Sequence, residues 1–310
     1  MPFLPNLAKH IPWFAITLWF GGIVSKAEPA SAASVPVAAP GFVYRAEKEG
    51  RVIFLAASLH RMRNDSYPLP AAYELAYRQS ERLWFEHDPR EDENPRAGSE
   101  TAKRGMMSRR QRVDNLLSES TRRLLRQHLA SRRIDPESVQ RMRPWYLGLH
   151  LMNLEYERHG IFQQYGIDRH YGRRASLDNK PVRGLETVAR SIGTLEKLSA
   201  AEQDRNLADT LLSTGNVSTL YSSLIAAWRQ GSEKHALRVL RPGGNTSRES
   251  WRSIVAARTS AWVSKLDNSD SGSRCMVLVG LDHLIGPEGM VSQFVALGYK
   301  VEAVRPPPKH

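Results

Sequence analysis

A chain of 310 residues of which 41% are hydrophobic can bury a sizeable core. Its single cysteine, Cys275, excludes an internal disulfide, so packing has to supply the stability. The formal charge of +12 is unevenly spread. Between residues 103 and 143 a run of arginines suits the wet face of an amphipathic helix, or a surface drawn to anionic envelope polysaccharide or lipid.

In chain order, Lys9 precedes an apolar run over residues 11–24, and small residues follow at Ser25 and Ala27. That run is short of the about 20 residues a membrane span takes. The charged start, apolar middle and small-residue end match a secretory signal over residues 1–27, with an uncleaved membrane anchor as the alternative. Residues 28–40 are rich in Ala, Pro, Ser and Val and read as a flexible leader. The expected location is periplasmic or secreted, where nucleic acid is not an expected partner. One domain is expected over residues 41–305, followed by a tail at 306–310.

Residues 52–57 are apolar without a break and rich in β-branched and aromatic side chains, as in a fully buried strand, and His60 stands where it ends. Pro70 opens a helix, and residues 83–88 read as a second strand with Glu86 near its end. Residues 88–105 are charged and contain Pro and Gly, hence a loop. A helix is expected over 108–132, with Val113, Leu116, Leu117, Leu124, Leu125 and His128 or Leu129 near helical spacing, and Pro144 starts an apolar helix. Residues 160–180, which carry Asp168 and His170, read as a surface loop with a short helix. A short strand ends in Glu186, and helices are expected over 188–198, 202–212, 217–230 and 249–265. Residues 275–280 form a buried strand ending near His283. A helix over 287–297, closed by Gly298, and a strand over 299–304 complete a β-loop-α-β unit. The fold class is therefore α/β: a mostly parallel central sheet flanked by helices, with a helical insertion over about residues 100–180.

Two strands thus end in a histidine preceded by a small residue, Ala57-Ser58-Leu59-His60 and Gly280-Leu281-Asp282-His283, and two others end in Glu86 and Glu186. Ligands of open α/β sheets bind beyond the carboxyl ends of the strands. In one largely parallel sheet, two imidazoles and two carboxylates would meet in one crevice. Such a set suits a divalent metal that lowers the pKa of a bound water. His60 acting as a general base oriented by a glutamate needs no ion. A lone strand-end histidine is also often a hydrogen-bonded structural residue. Neither a Gly-x-Ser-x-Gly elbow, a His-Glu-x-x-His helix, a Gly-x-Gly-x-x-Gly turn nor a P-loop is present.

These blocks occur in a fixed order: Ala57 to His60 with Tyr67-Pro68-Leu69-Pro70, Trp84-Phe85-Glu86, Arg143-Pro144-Trp145, Gly166-Ile167-Asp168, Gly184-Leu185-Glu186-Thr187, and Gly280 to His283. Together they resemble the TraB/GumN family, which includes the Tiki proteins, over residues 41–305. The resemblance implies an α/β fold of the erythromycin-esterase and ChaN-like type. It also implies a hydrolase, most specifically a metal-dependent peptidase acting on a peptide or protein substrate, supported by manganese or cobalt; zinc suits the same imidazole and carboxylate donors. Carried over, His60, Glu86 and His283 are the metal-binding and catalytic set, with Glu186 as a second carboxylate and Arg258 as an anion or oxyanion partner. The alternative is a binding or regulatory protein without catalysis that holds a peptide or polysaccharide in the same crevice. Two departures from the family pattern motivate it. Ala57 stands where the first glycine is expected, and Ala257-Arg258-Thr259 replaces a Glu-Arg-Asn sequence.

Overall fold

The first strand, β1 (Val43–Lys48), turns back through Glu49 and Gly50 into β2 (Arg51–Ser58). Both turn residues have positive φ, 50° and 79°, as in the mirror-image two-residue turns whose twist matches that of paired strands. The remaining strands are β3 (Arg82–Phe85), β4 (Val182–Gly184), β5 (Cys275–Gly280) and β6 (Lys300–Ala303). They form one sheet in the order β4-β3-β5-β2-β1-β6. β4, β3, β5 and β2 pair in parallel, while β1 pairs antiparallel with both β2 and β6. All strands but β1 therefore run the same way, and the α/β sheet is mixed but mostly parallel. This computed structural model describes residues 38–93, 95–240, 248–269 and 274–305. The expected signal segment, nearly all of the leader and the tail lie outside the described residues. Among those described, no helix is long and apolar enough to cross a membrane.

The centre of the sheet is apolar because both faces are covered, which is why β2 and β5 read as unbroken hydrophobic runs. Every residue of β5 is buried, as is every residue of β2 after Arg51. Register then aligns the strand ends. Ser58 pairs with Gly280, Phe85 with Leu278, and Gly184 with Phe85. Pairing continues past β3 and β4, where the Leu185 and Glu186 amides donate to the Phe85 and Glu86 carbonyls at 2.8 and 3.0 Å.

Between β3 and β4 the chain is helical: Pro89–Glu93, Pro95–Gly105, Glu119–Arg132, Pro144–Arg158 and Ile167–Leu177. The helices Glu119–Arg132 and Pro144–Arg158 share a second apolar core, including Val113, Leu125, Trp145 and Leu151, with Ile192, Leu207 and Ile254 from later helices, whereas Ile167, Tyr171 and Ala175 pack into the core of the sheet. The helix expected from residue 108 starts only at Glu119. Ser118 caps it by accepting from the Thr121 amide, and Val113–Leu116 form a separate 3-10 turn. Its buried face is Thr121, Leu125, His128 and Leu129, and several arginines of the basic segment are answered by acids. Arg112 pairs with Glu137, Arg126 with Glu119 at 3.0 Å, and Arg132 with the buried Glu155 at 2.7 Å. The short helix expected within residues 160–180 is Ile167–Leu177, but Asp168 is buried in its first turn rather than on the surface.

A hydroxyl fastens the end of β2. Tyr73 lies on the helix Ala71–Gln79 and is fully buried; its hydroxyl reaches the carbonyls of Gly41 (2.7 Å) and Ala57 (2.6 Å) and accepts from the Trp228 indole at 2.9 Å. Replacing Tyr73 with Phe leaves two carbonyls and an indole N–H short of a partner. A loss of about 1–3 kcal/mol in folding stability is expected, measured by denaturant unfolding.

Candidate functional site

The common level of the strand ends brings His60, Glu86, Glu186 and His283 together beyond the sheet, all of them buried. Glu86 is at the centre. Its Oε1 accepts from the Gly280 amide at 2.7 Å and lies 3.3 Å from His60 Nε2, and its Oε2 accepts from Arg258 Nη2 at 3.1 Å. Arg258 also donates from Nε to Glu186 Oε1 (2.7 Å) and from Nη1 to the Ile254 carbonyl (3.0 Å) and to His283 Nε2 (3.2 Å). One guanidinium thus ties together residues from the ends of three strands. The family resemblance casts Arg258 as an anion or oxyanion partner, and the structure buries it, with 4% of its surface exposed.

A local irregularity of the backbone precedes this arginine. Residues Arg252–Ala256 form a π-helical turn inside what the sequence predicts as one continuous helix, and Ala257–Asp267 continues from it. Such turns widen a helix and often mark functional positions. Here Arg258 and Thr259 both face the sheet while Ala257 is exposed, so the departure at 257 does not touch the cluster. Thr259 does, because its Oγ1 donates to the Val255 carbonyl and lies 2.8 Å from His283 Nδ1. Ala57 sits within β2 and is absent from the residues of positive φ, so a side chain there meets no backbone strain.

Asp168, expected on the surface, completes the site. Its Oδ2 lies 2.6 Å from His60 Nδ1 and also accepts from Ser58 Oγ. Gly166 makes this approach possible, because a Cβ there would collide with the His60 carbonyl. The Ile167 amide donates to the Leu59 carbonyl at 3.1 Å and docks the start of that helix. The block Gly166-Ile167-Asp168 was the available sequence signal, but nothing in its polar, glycine-broken surroundings pointed inward. His87, 3.7 Å from Glu186, is a further cluster member that sequence reasoning passed over.

The two strand-end histidines are in opposite charge states. Burial works against charge on His60, but Asp168 and then Glu86 outweigh it and raise its pKa well above the usual value. Burial likewise pulls His283 down, to about 3, with Arg258 beside it. The hydrogen bonds agree, since His283 Nδ1–H donates to Thr259, whose own proton is committed to Val255, and Nε2 accepts from Arg258. Burial opposes ionisation of Glu86, yet its neighbours His283, His60 and Arg258, in that order, keep it well below the normal carboxylate range. A divalent ion would have to compete with Arg258 for Glu86, Glu186 and His283 Nε2. As placed, the donor set is closed by the guanidinium, and among the described residues no group of three His, Cys, Asp or Glu is arranged to hold a metal.

Asp282 is the exception to this balance. It is 3% exposed, accepts only from the His283 amide, and has Oδ2 buried without a hydrogen-bond partner. Burial, with Glu86 nearby, raises its pKa from 3.8 to about 7. The folded state therefore holds this proton up to about pH 7, whereas the unfolded chain releases it near 3.8. The group costs nothing below that lower value, and stability is lost as pH rises between the two. Asp282→Asn is expected to leave thermal stability unchanged at pH 4 and to raise it at pH 8, with about 4 kcal/mol as an upper bound; calorimetry at the two pH values checks this.

No curated protein and no solved structure matches this chain. The model of the TraB/PrgY/gumN family matches residues 42–303, a span that runs from the first strand to the last and contains every residue of the cluster. The chain belongs to the TraB/PrgY/gumN family.

Proposed function

We propose that this protein is a hydrolase acting on a carbonyl substrate, most specifically a peptide, with His60 and Glu86 as its acid–base pair. The observation that carries this reading is the position of His60. It is backed by Asp168 at 2.6 Å and faces Glu86 at 3.3 Å, at the sheet edge where α/β folds bind ligands. The facing contact is longer than the 2.6 Å and 2.7 Å contacts that hold His60 and Glu86 from behind, so water and substrate enter by parting these two. Separation removes a positive neighbour from Glu86 and makes its carboxylate more basic. Glu86 then takes a proton from water as the oxygen attacks the carbonyl carbon, Arg258 offsets charge on the carbonyl oxygen, and His60 gives its Nε2 proton to the leaving group. Glu186 keeps Arg258 in place while Glu86 changes charge.

A metal-dependent form of the same reaction, as the family resemblance implies, uses manganese, cobalt or zinc at His60, Glu86 and His283 and requires Arg258 to give way. Asp168 Oδ1 and Glu186 Oε2 favour it, being buried acceptors without a hydrogen bond, the latter with only Arg190 at 3.9 Å beside it. A binding or regulatory role is favoured by the engagement of both Glu86 oxygens in the closed cluster. Export to the periplasm or beyond, and contact of the basic helices with anionic envelope polysaccharide or lipid, are part of the same proposal. They rest on the composition of residues 1–40 and of residues 103–143.

Purified protein is expected to cleave peptides from a mixed library, with His60→Ala and Glu86→Gln each lowering kcat/KM by roughly 10²–10⁴-fold, the usual contribution of a positioned acid or base. Activity that survives chelation supports the metal-free form, and loss restored by one ion supports the metal-dependent form. Equal turnover by wild type and both variants would sink the acid–base assignment, and peptide binding without turnover would leave the binding role.

A further inference from the structure

The residue after His60 is an arginine in an unusual setting. Arg61 is 2% exposed, and its Nε and Nη2 are buried without a hydrogen-bond partner. Its guanidinium carbon lies 5.8 Å from the centre of the Tyr156 ring, and burial draws its pKa down to about 10. Other arginines of this chain find acids, as Arg132 does with Glu155 and Arg258 with two glutamates. Glu157 is near enough to act on this cation through its charge, but Nε and Nη2 still lack a hydrogen bond; a buried cation left so is costly, and such a group calls for a ligand or solvent to explain it.

Two more groups without partners belong to the same corner. Met62 bridges antiparallel to Phe162, which makes Gln163 the cross-strand neighbour of Arg61. The Gln163 Nε2 is buried and has no acceptor. Asn153 is 3% exposed, with both amide atoms unpartnered, and it lies three residues before Tyr156 on the helix Pro144–Arg158, hence on the same face as that ring. The donors are a guanidinium fork and two amides, a set that matches the two oxygens of a carboxylate.

We propose that Arg61, with Asn153 and Gln163, forms a subsite for a carboxylate of the peptide substrate beside His60. This rests on the reading of the His60 crevice as a substrate site, and it names what the neighbouring donors recognise. The carboxylate is a chain terminus or an acidic side chain next to the cleaved bond. An arginine kept buried for a ligand costs stability when the ligand is absent, and replacing it with an apolar residue of similar length recovers that loss.

The test is thermal unfolding of the full chain, a readout independent of turnover, so failure of the hydrolase reading leaves it valid. N-acetylglycylglycine as the free acid, its C-terminal amide, and N-acetylaspartylglycinamide serve as probes at saturating concentration, with glucuronate as a fourth. One of the two acids is expected to raise the Tm of wild type by roughly 2–4 °C. Which of them does so tells the terminus from the side chain, and the neutral dipeptide amide is expected to have no effect. Arg61→Met is expected to be more stable than wild type without ligand and to give no shift with any probe. Arg61→Lys is expected to fold and to bind the acid roughly tenfold more weakly, having one ammonium in place of a fork. An Arg61→Met protein that is destabilised or does not fold shows an internal partner and overturns the proposal. Equal shifts in wild type and variant, or no shift in wild type, also overturn it. Stabilisation by glucuronate alone overturns the peptide assignment in favour of an acidic polysaccharide.

Discussion

The geometry of the site depends on one buried cation. Arg258, carried by the helix Ala257–Asp267, touches Glu86, Glu186 and His283 at once. Without it, two carboxylates would face each other in a desolvated corner, and loss of one partner from such a buried set costs about 3–5 kcal/mol. Buried ion pairs rarely earn their place through stability, because desolvation offsets most of the attraction. Retaining two glutamates, an arginine and a charged histidine where apolar side chains would pack as well is better explained by chemistry at the sheet edge.

The sheet and the site were legible in the sequence to different degrees, for physical reasons. β2 and β5 are buried on both faces, so their composition announces them, and their terminal histidines could be placed before any coordinates. β1 was missed because Arg45, Glu47 and Lys48 lie within it and are only partly buried; a half-wet strand leaves little trace in hydrophobicity. Glu86 and Glu186 followed from strand ends, and parallel register did the rest. Asp168 could not be found this way. It reaches His60 across 108 residues of sequence because a glycine permits backbone contact, and local pattern carries no information about that contact. Arg258 illustrates the same limit, since an arginine in an amphipathic helix is ordinarily on the wet side, and the π-helical turn before it leaves no reliable signature in composition.

The departures from the family pattern take on a different weight with the structure in hand. Ala257 is exposed and Ala57 lies in unstrained strand backbone, so neither alters the cluster. Thr259 is the consequential one. Its hydroxyl accepts from His283 while donating to Val255, and this fixes which ring nitrogen of His283 carries the proton. That leaves Nε2 as an acceptor, which is what allows a guanidinium to sit against an imidazole. A substitution that looked like decay is one that the present arrangement uses.

The repeated strand-His pattern suggests two equivalent residues, yet the neighbours make them opposite. His60 stands between Asp168 and Glu86 and is held charged, whereas His283 stands between a hydroxyl and a guanidinium and is held neutral. Pairs of titratable groups pushed apart in this way mark a division of labour between acid and acceptor. The division follows from the chain's layout: β2 and β5 are adjacent and parallel, but the helix Ile167–Leu177 brings a carboxylate to the first histidine, and the helix Ala257–Asp267 brings a cation to the second. Glu86, on β3, is the one carboxylate that bridges the two halves, facing His60 with one oxygen and Arg258 with the other. A change of charge on Glu86 is therefore felt by both histidines, and the sheet edge responds as one titrating unit rather than as four separate groups.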